Sequence, residues 1–283
     1  MPGNPATGER RRPAVVGRLL AWQLGGSRVC IGVWAAGART PCPGRRSVRA
    51  GTDAQCAGCA AGDSGRALAR NAIAGENDRD WNLYLAWFGS GLVKVGLTAA
   101  DRGRDRLLEQ GAIAYTLLAT GPFTAIRRAE QSVSATGLAR ERIGSRAKAD
   151  AWWSLPDAAG RAEHVAKAHA AITAATDWPD TLEVTGCRVH DLAAAYGLDQ
   201  EPLPSTFQEL TGVDDEAALA GRIRAVVGRR LLLDTFAGPL LADMRRVAGY
   251  PFAAAGEQTR PTGLQSTPRT RPRDPHENDQ PLF

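Results

Sequence analysis

Four cysteines fall within thirty residues of one another: Cys30, Cys42, Cys56 and Cys59, spaced C-x11-C-x13-C-x2-C. The last pair brackets Ala57-Gly58, a knuckle in which glycine lets the backbone turn so that both thiolates face one ion. Four thiolates would close a tetrahedral structural zinc site. A disulfide framework is not expected in a cytosolic chain, and no strand-to-helix context marks the pair as redox-active. Cys187 stands alone and is expected in a core, without chemistry.

A second constellation lies between residues 81 and 155. Trp81–Phe88 is rich in aromatic residues and reads as a strand. Gly89-Ser90-Gly91 is a three-residue hairpin loop by composition, and Leu92–Thr98 is the returning strand. That loop length places residue 84 opposite 96 and residue 86 opposite 94. Directly opposed residues share a face, so Tyr84, Ala86, Phe88, Lys94 and Gly96 line one side. The missing side chain of Gly96 leaves room beside the Tyr84 phenol. A tyrosine and a lysine beside such a gap can form a site, or a half-exposed sheet surface.

The elements around them follow from spacing. Asp101 is a good N-cap for a helix over 102–110 that Gly111 would stop. Arg102, Arg106 and Gln110 recur every fourth residue and make one polar stripe, with Leu107 and Leu108 facing inward. Residues 113–119 read as a third strand. Thr124 caps a second helix running to about Ala139, with Glu130 near its middle between the inward candidates Ile126 and Val133. Glu130 can also simply pair with a neighbouring arginine such as Arg127. The order is β-β-α-β-α.

These residues resemble a known group. A tyrosine on the first strand and Val95-Gly96-Leu97-Thr98 on the second resemble the GIY-YIG nuclease superfamily. Asn82-Leu83-Tyr84 stands where GIY would be and Lys94-Val95-Gly96 where YIG would be. The closer likeness is to a bacterial family, domain of unknown function 2797. Val93–Thr98, Arg106–Ala112, Val227–Leu233 and Met244–Tyr250 carry it, together with a Cys-rich N-terminal section, across most of 13–256. The nuclease likeness covers only about 81–155. It implies phosphodiester hydrolysis assisted by one Mg²⁺ or Mn²⁺. Tyr84 would position the attacking water, Glu130 would ligate the metal, and a helix arginine would hold the scissile phosphate. Arg106 fits the closer family and Arg104 the nuclease spacing. Lys94, in place of the second tyrosine, would meet phosphate as a flexible point charge. No helical histidine follows.

Charge agrees with a polyanionic partner, DNA or RNA. The chain has 283 residues, 35 basic and 30 acidic, for a net charge of +5, and only three of the cations are lysine. The first 155 residues carry +10 and residues 156–256 carry −5. A GC-rich genome accounts for arginine over lysine but less well for that asymmetry. If the arginines reflect composition alone, a protein-interaction module is the remaining reading. Trp152 and Trp153 are expected to pack rather than stack on bases.

The expected architecture is α+β. Residues 1–12 form a disordered tail, and 13–80 a β-module with the four-cysteine zinc loop. Residues 81–155 form the GIY-YIG-like domain, and 156–256 mixed helices and strands packing on the N-terminal module. Residues 257–283, with five prolines, read as a disordered tail. In the C-terminal part, 157–176 reads as a surface helix and 191–196 as a short helix stopped by Gly197. Residues 226–234 read as a strand with 181–189 and 240–246 as partners, and Asp214-Asp215-Glu216 as a loop or cap. Strands 15–22 and 30–34 are expected to join these. Arg10-Arg11-Arg12 faintly suggests an export signal, but Arg18 interrupts the apolar run after five residues, short of the roughly 7–15 needed. The expected compartment is the cytoplasm, with no membrane span.

Overall fold

The computed structural model describes residues 14–35, 38–63 and 79–271. The N-terminal tail expected over 1–12 lies outside them, as do residues 272–283.

Strands β4 (Trp81–Trp87) and β5 (Val93–Ala99) form the expected hairpin, with Tyr84 paired to Gly96 and Ala86 to Lys94. β6 (Ala114–Gly121) pairs with the other edge of β4. Helix α2 (Gly103–Gln110) lies between β5 and β6 in the chain, and α3 (Phe123–Ala135) follows β6. The α2 N-cap is Arg102, not Asp101, which is exposed and faces Arg79 at 3.9 Å. α3 begins one residue before Thr124, after Pro122, whose fixed φ suits a helix entry. It ends at Ala135 rather than near Ala139.

Alternation along β4 divides two cores. Leu83, Leu85, Val95 and Leu118 pack with Ile126, Ala129 and Val133 of α3 and with Ile172. Ile172 comes from α5 (Ala158–Ala175), which follows a short helix α4 (Ser145–Asp150). Asp157 caps α5 by accepting from the Gly160 N–H at 2.8 Å. α5 is not merely a surface helix: Arg161, Val165, His169 and Ile172 are all buried. The other core holds Tyr84, Phe88, Leu107, Tyr115, Trp152 and residues of the C-terminal strands.

The segment 181–189 does not pair with 226–234. β7 (Glu183–Val184) and β8 (His190–Asp191) extend the β6 edge instead, ahead of the short helix α6 (Ala193–Tyr196) stopped by Gly197. The expected boundary near 155 is therefore crossed, because α5, β7 and β8 complete the β4–β6 layer.

The second sheet is organised by one strand of 22 residues, β9 (Thr206–Val227). Its C-terminal half pairs with β10 (Arg230–Thr235), β10 with β11 (Gly238–Asp243), and β11 with the N-terminal half of β9. The pairings close a circuit, so the sheet curls on itself around Leu210, Leu219, Ile223, Leu233 and Leu240. The expected strand 226–234 is borne out over 230–234, which lie in β10, and is broken by the hairpin turn at Gly228-Arg229 that follows the end of β9. The acidic run 214–216 lies inside β9, where Glu216 adopts φ 64°. The pairing register with β13 (Thr262–Thr270) shifts alongside that run.

β13 corrects the disordered reading of 257–283 over 262–270. Its side chains are mostly exposed and its ladder to β9 holds it, so composition gave no sign of it. Pro268 is tolerated because β13 is an edge strand. β1 (Leu19–Leu24) joins β9 on one side and β12 (Phe252–Ala254) on the other, so N- and C-terminal segments share this sheet. β2 (Val33–Ala35) and β3 (Ala38–Thr40) pair only with each other, ahead of α1 (Ala57–Ala61).

Two junctions fix these pieces together. Arg28 is 3 % exposed, and its guanidinium donates to four carbonyls. Arg49 and Asp53 supply two from the cysteine segment; Arg245 and Ala248 supply two from beyond β11. A buried guanidinium is tolerable because its donors are met. At the second junction the end of α2 meets the β9–β10 turn. A Cβ on Gly228 would lie 2.9 Å from the Glu109 carbonyl oxygen, and one on Gly111 3.0 Å from a Val227 methyl. Both glycines also hold positive φ.

Candidate functional site

The four cysteine side chains come together: their sulfurs all lie within 4.8 Å of one another, so they could hold a metal ion. Cys30 Sγ accepts from the N–H groups of Gly32 at 3.4 Å and Cys56 at 3.2 Å. Gly32 has φ 84°, and a Cβ there would collide with the Thr40 carbonyl oxygen. Cys56 precedes α1 and Cys59 lies within it. A hydrogen bond from the Arg46 N–H lowers the Cys42 thiol to about 7. Burial and the three neighbouring thiols push Cys59 up to about 12. Four thiolates packed this closely need a cation to ionise together, and a soft N/S-type ion suits the donor set. Cys187 takes no part; it is exposed, in the loop between β7 and β8, not in a core.

On the β4–β5 face the Tyr84 phenol lies over Gly96, as the register predicts. A Cβ at Gly96 would sit 2.3 Å from the phenol oxygen and 2.7 Å from Lys94 Nζ. Lys94 Nζ is 5.4 Å from the Tyr84 ring centre. Tyr84 itself is 1 % exposed, and its hydroxyl accepts from Gln110 Nε2 at 2.6 Å. Asn82 is structural: its Oδ1 accepts from the Thr120 hydroxyl across β4 and β6.

The two helix arginines separate. Arg104 faces Tyr115, His190 and Tyr196, where its charge opposes the rise that burial gives both phenols. Arg106 lies on the other side, 3.5 Å from Glu109 and within the electrostatic reach of Lys148. Glu109 also takes both its oxygens to Arg102, at 2.7 and 2.8 Å. Glu130 sits on α3, on the sheet face opposite Tyr84. It is buried and ion-paired with Arg127 on its own helix. Burial raises the Glu130 carboxyl above its ordinary range, against the pull of Arg127 and Lys94. Lys94 is thus the one link between Glu130 and the tyrosine side.

Lys148 is the residue that spacing alone did not single out. It reaches from α4 to donate to the Gln110 carbonyl at 3.2 Å, with Nζ 3.6 Å from the centre of the Phe88 ring. Burial, then the charges of Lys94 and Arg106, lower it to about 8. The available signal was its being one of only three lysines among 35 basic residues. Trp152 and Trp153 pack, as expected, in a stack that ends on Phe207.

A cleft of about 890 Å³ opens between the cysteine segment, α2 and the curled sheet. Arg79, Arg102, Arg106, Arg229 and Arg245 line it, with Asp53, Gln55 and Asp63 on the cysteine side and Trp22 and Trp81 on its apolar walls. Among the described residues, Arg229 is exposed and has no ion-pair partner.

Fold and site together define an α+β protein with a four-cysteine cluster that could hold a metal ion and an arginine-lined cleft. The family model "Protein of unknown function (DUF2797)" matches residues 70–252, well over half of the chain, and the chain belongs to that family. The match starts after Cys59, so the cysteine cluster falls outside the matched span rather than inside a likeness running from residue 13. No curated protein and no solved structure matches the chain. No helix among the described residues is long and apolar enough to cross a membrane.

The lowered Lys148 carries a stability prediction. Its proton is held more weakly in the folded chain than in the unfolded one, so stability rises as pH climbs from about 8 toward 10.5. Lys148→Met is expected to stabilise the protein at pH 7 by about 1 kcal/mol, after allowance for the solvent-facing part of the side chain. Thermal melts of both proteins across a series of dilute buffers from pH 7 to 10.5 check this: the gap should close by pH 10.5, and a variant that melts lower at pH 7 contradicts it.

Proposed function

We propose that this protein binds nucleic acid through its arginine-lined cleft, on a GIY-YIG-like scaffold steadied by zinc at Cys30, Cys42, Cys56 and Cys59. The observation that carries the reading is the cleft itself. Five arginines from four separate segments face one groove, and planar guanidinium groups suit phosphate oxygens. Trp22, partly exposed, gives that groove an aromatic wall on which a base can stack. Zinc is favoured over harder ions because all four donors are sulfur.

Catalysis is the second reading, and the state of Glu130 weighs against it. A carboxylate that is buried and already paired with Arg127 has to give up that partner to ligate Mg²⁺. Tyr84, Lys94, Arg106 and Glu130 are the residues a hydrolytic version would use, with Arg104 turned away toward Tyr115. On the binding reading Arg106, which lines the cleft, meets phosphate, while Tyr84 and Glu130 are buried and serve the scaffold. The cytoplasm suits such a partner and a reduced thiol cluster.

Two measurements on the purified chain test the reading. Affinity for a single-stranded oligonucleotide should fall steeply with salt, with a log–log slope near about −3.5 if about five phosphates are neutralised. Arg106→Ala and Arg229→Ala should each flatten the slope by about 0.7. A flat salt response, or no binding, removes nucleic acid from the account. Metal analysis should find about one equivalent of zinc, lost in Cys59→Ala with destabilisation of the N-terminal segment; full retention moves the ligands elsewhere. Cleavage with Mg²⁺ or Mn²⁺ that disappears in Glu130→Ala would make the chain a nuclease.

A further inference from the structure

Beside the cleft lies a smaller pocket of about 140 Å³, close to the size of a cavity that takes a benzene molecule. Its walls come from α4, the end of α2 and the β9–β10 turn. Lys148, Arg229, Arg230 and Ser145 contribute the polar groups that are not already neutralised. The two carboxylates in the wall are engaged: Glu109 with Arg102 and Arg106, and Asp243 with Arg245 at 3.0 Å.

The pocket is rich in donors and short of acceptors. Neither Lys148 nor Arg230 has an ion-pair partner among the described residues. Arg230 reaches only the Ser145 hydroxyl, at 3.5 Å. Lys148 and Arg230, both partly buried, with the exposed Arg229 beside them, make this small space the complement of an oxyanion. Burial weakens both cations, which an anion bound between them would reverse.

From this geometry we propose that the pocket binds a phosphate monoester group, held by Lys148, Arg230 and Ser145. A monoester carries about −1.5 to −2 at pH 7, enough to balance both cations, and its oxygens point in several directions at once. The pocket meets the cleft, since Gly228, Arg229 and Arg245 line both. A strand lying in the cleft would therefore deliver its terminal phosphate here. This last assignment rests on the nucleic-acid reading above; the anion pocket itself does not.

The test uses the full chain and measures binding of inorganic phosphate and of one short single strand in three forms: 5′-phosphorylated, 3′-phosphorylated and hydroxyl-ended. One phosphorylated form should bind about tenfold tighter than the hydroxyl-ended strand, the size of one charge-assisted hydrogen bond. Lys148→Met and Arg230→Gln should abolish that gain while keeping the affinity of the hydroxyl-ended strand. Lys148-dependent binding of inorganic phosphate without an end effect supports the pocket and assigns it to the free ion. The same result with no strand bound at all keeps the pocket and overturns the nucleic-acid reading. Strands that bind equally whatever their ends, with no phosphate binding, overturn the pocket and leave that reading intact. An end effect that survives in Lys148→Met also overturns it.

Discussion

The backbone contact between the end of α2 and the β9–β10 turn is the constraint on which the site depends. Gly111 and Gly228 meet where a Cβ on either would come within about 3 Å of the other segment. There a helix belonging to the β4–β6 layer docks against the curled sheet. Gln110 is carried to a position where its side chain meets Tyr84 and its carbonyl meets Lys148. Arg106, one helical turn earlier, is turned to the cleft and Arg229, one residue after Gly228, faces it from the other side. Both the cleft and the smaller pocket are bounded by this contact.

The cysteine cluster acts from the opposite wall. The segment around it has only short strands and little apolar core, and a metal ion held by its four cysteines would let so small a unit keep one shape. Arg28 ties that segment to the rest of the chain, because its guanidinium takes carbonyls from the cysteine segment and from the residues after β11. Asp53 and Gln55, from the same segment, line the cleft.

Local signals made much of this legible. The Gly-Ser-Gly loop set the hairpin register, which placed Tyr84 over Gly96 and Lys94 beside it. The cysteine spacing led to one cluster, and Glu130 pairs with Arg127 as its helix spacing allowed. What escaped was long-range or held by backbone alone. β9 was hidden because Asp214-Asp215-Glu216 looks like a turn, while in the fold those exposed side chains edge a bent strand. β13 buries too little for composition to reveal it. Arg104 and Arg106 could not be told apart until α2 was docked. Lys148 gained meaning only when α4 met Gln110, 38 residues away.

Hydrogen exchange with and without a bound oligonucleotide tests the central claim most directly, since it reports which backbone is covered without altering any residue. Protection is expected on α2 from 103 to 111 and on the β9–β10 turn from 226 to 231, together, with little change along α5. Binding that protects α5 or β13 and leaves the α2 end and the turn exchanging freely would contradict the account.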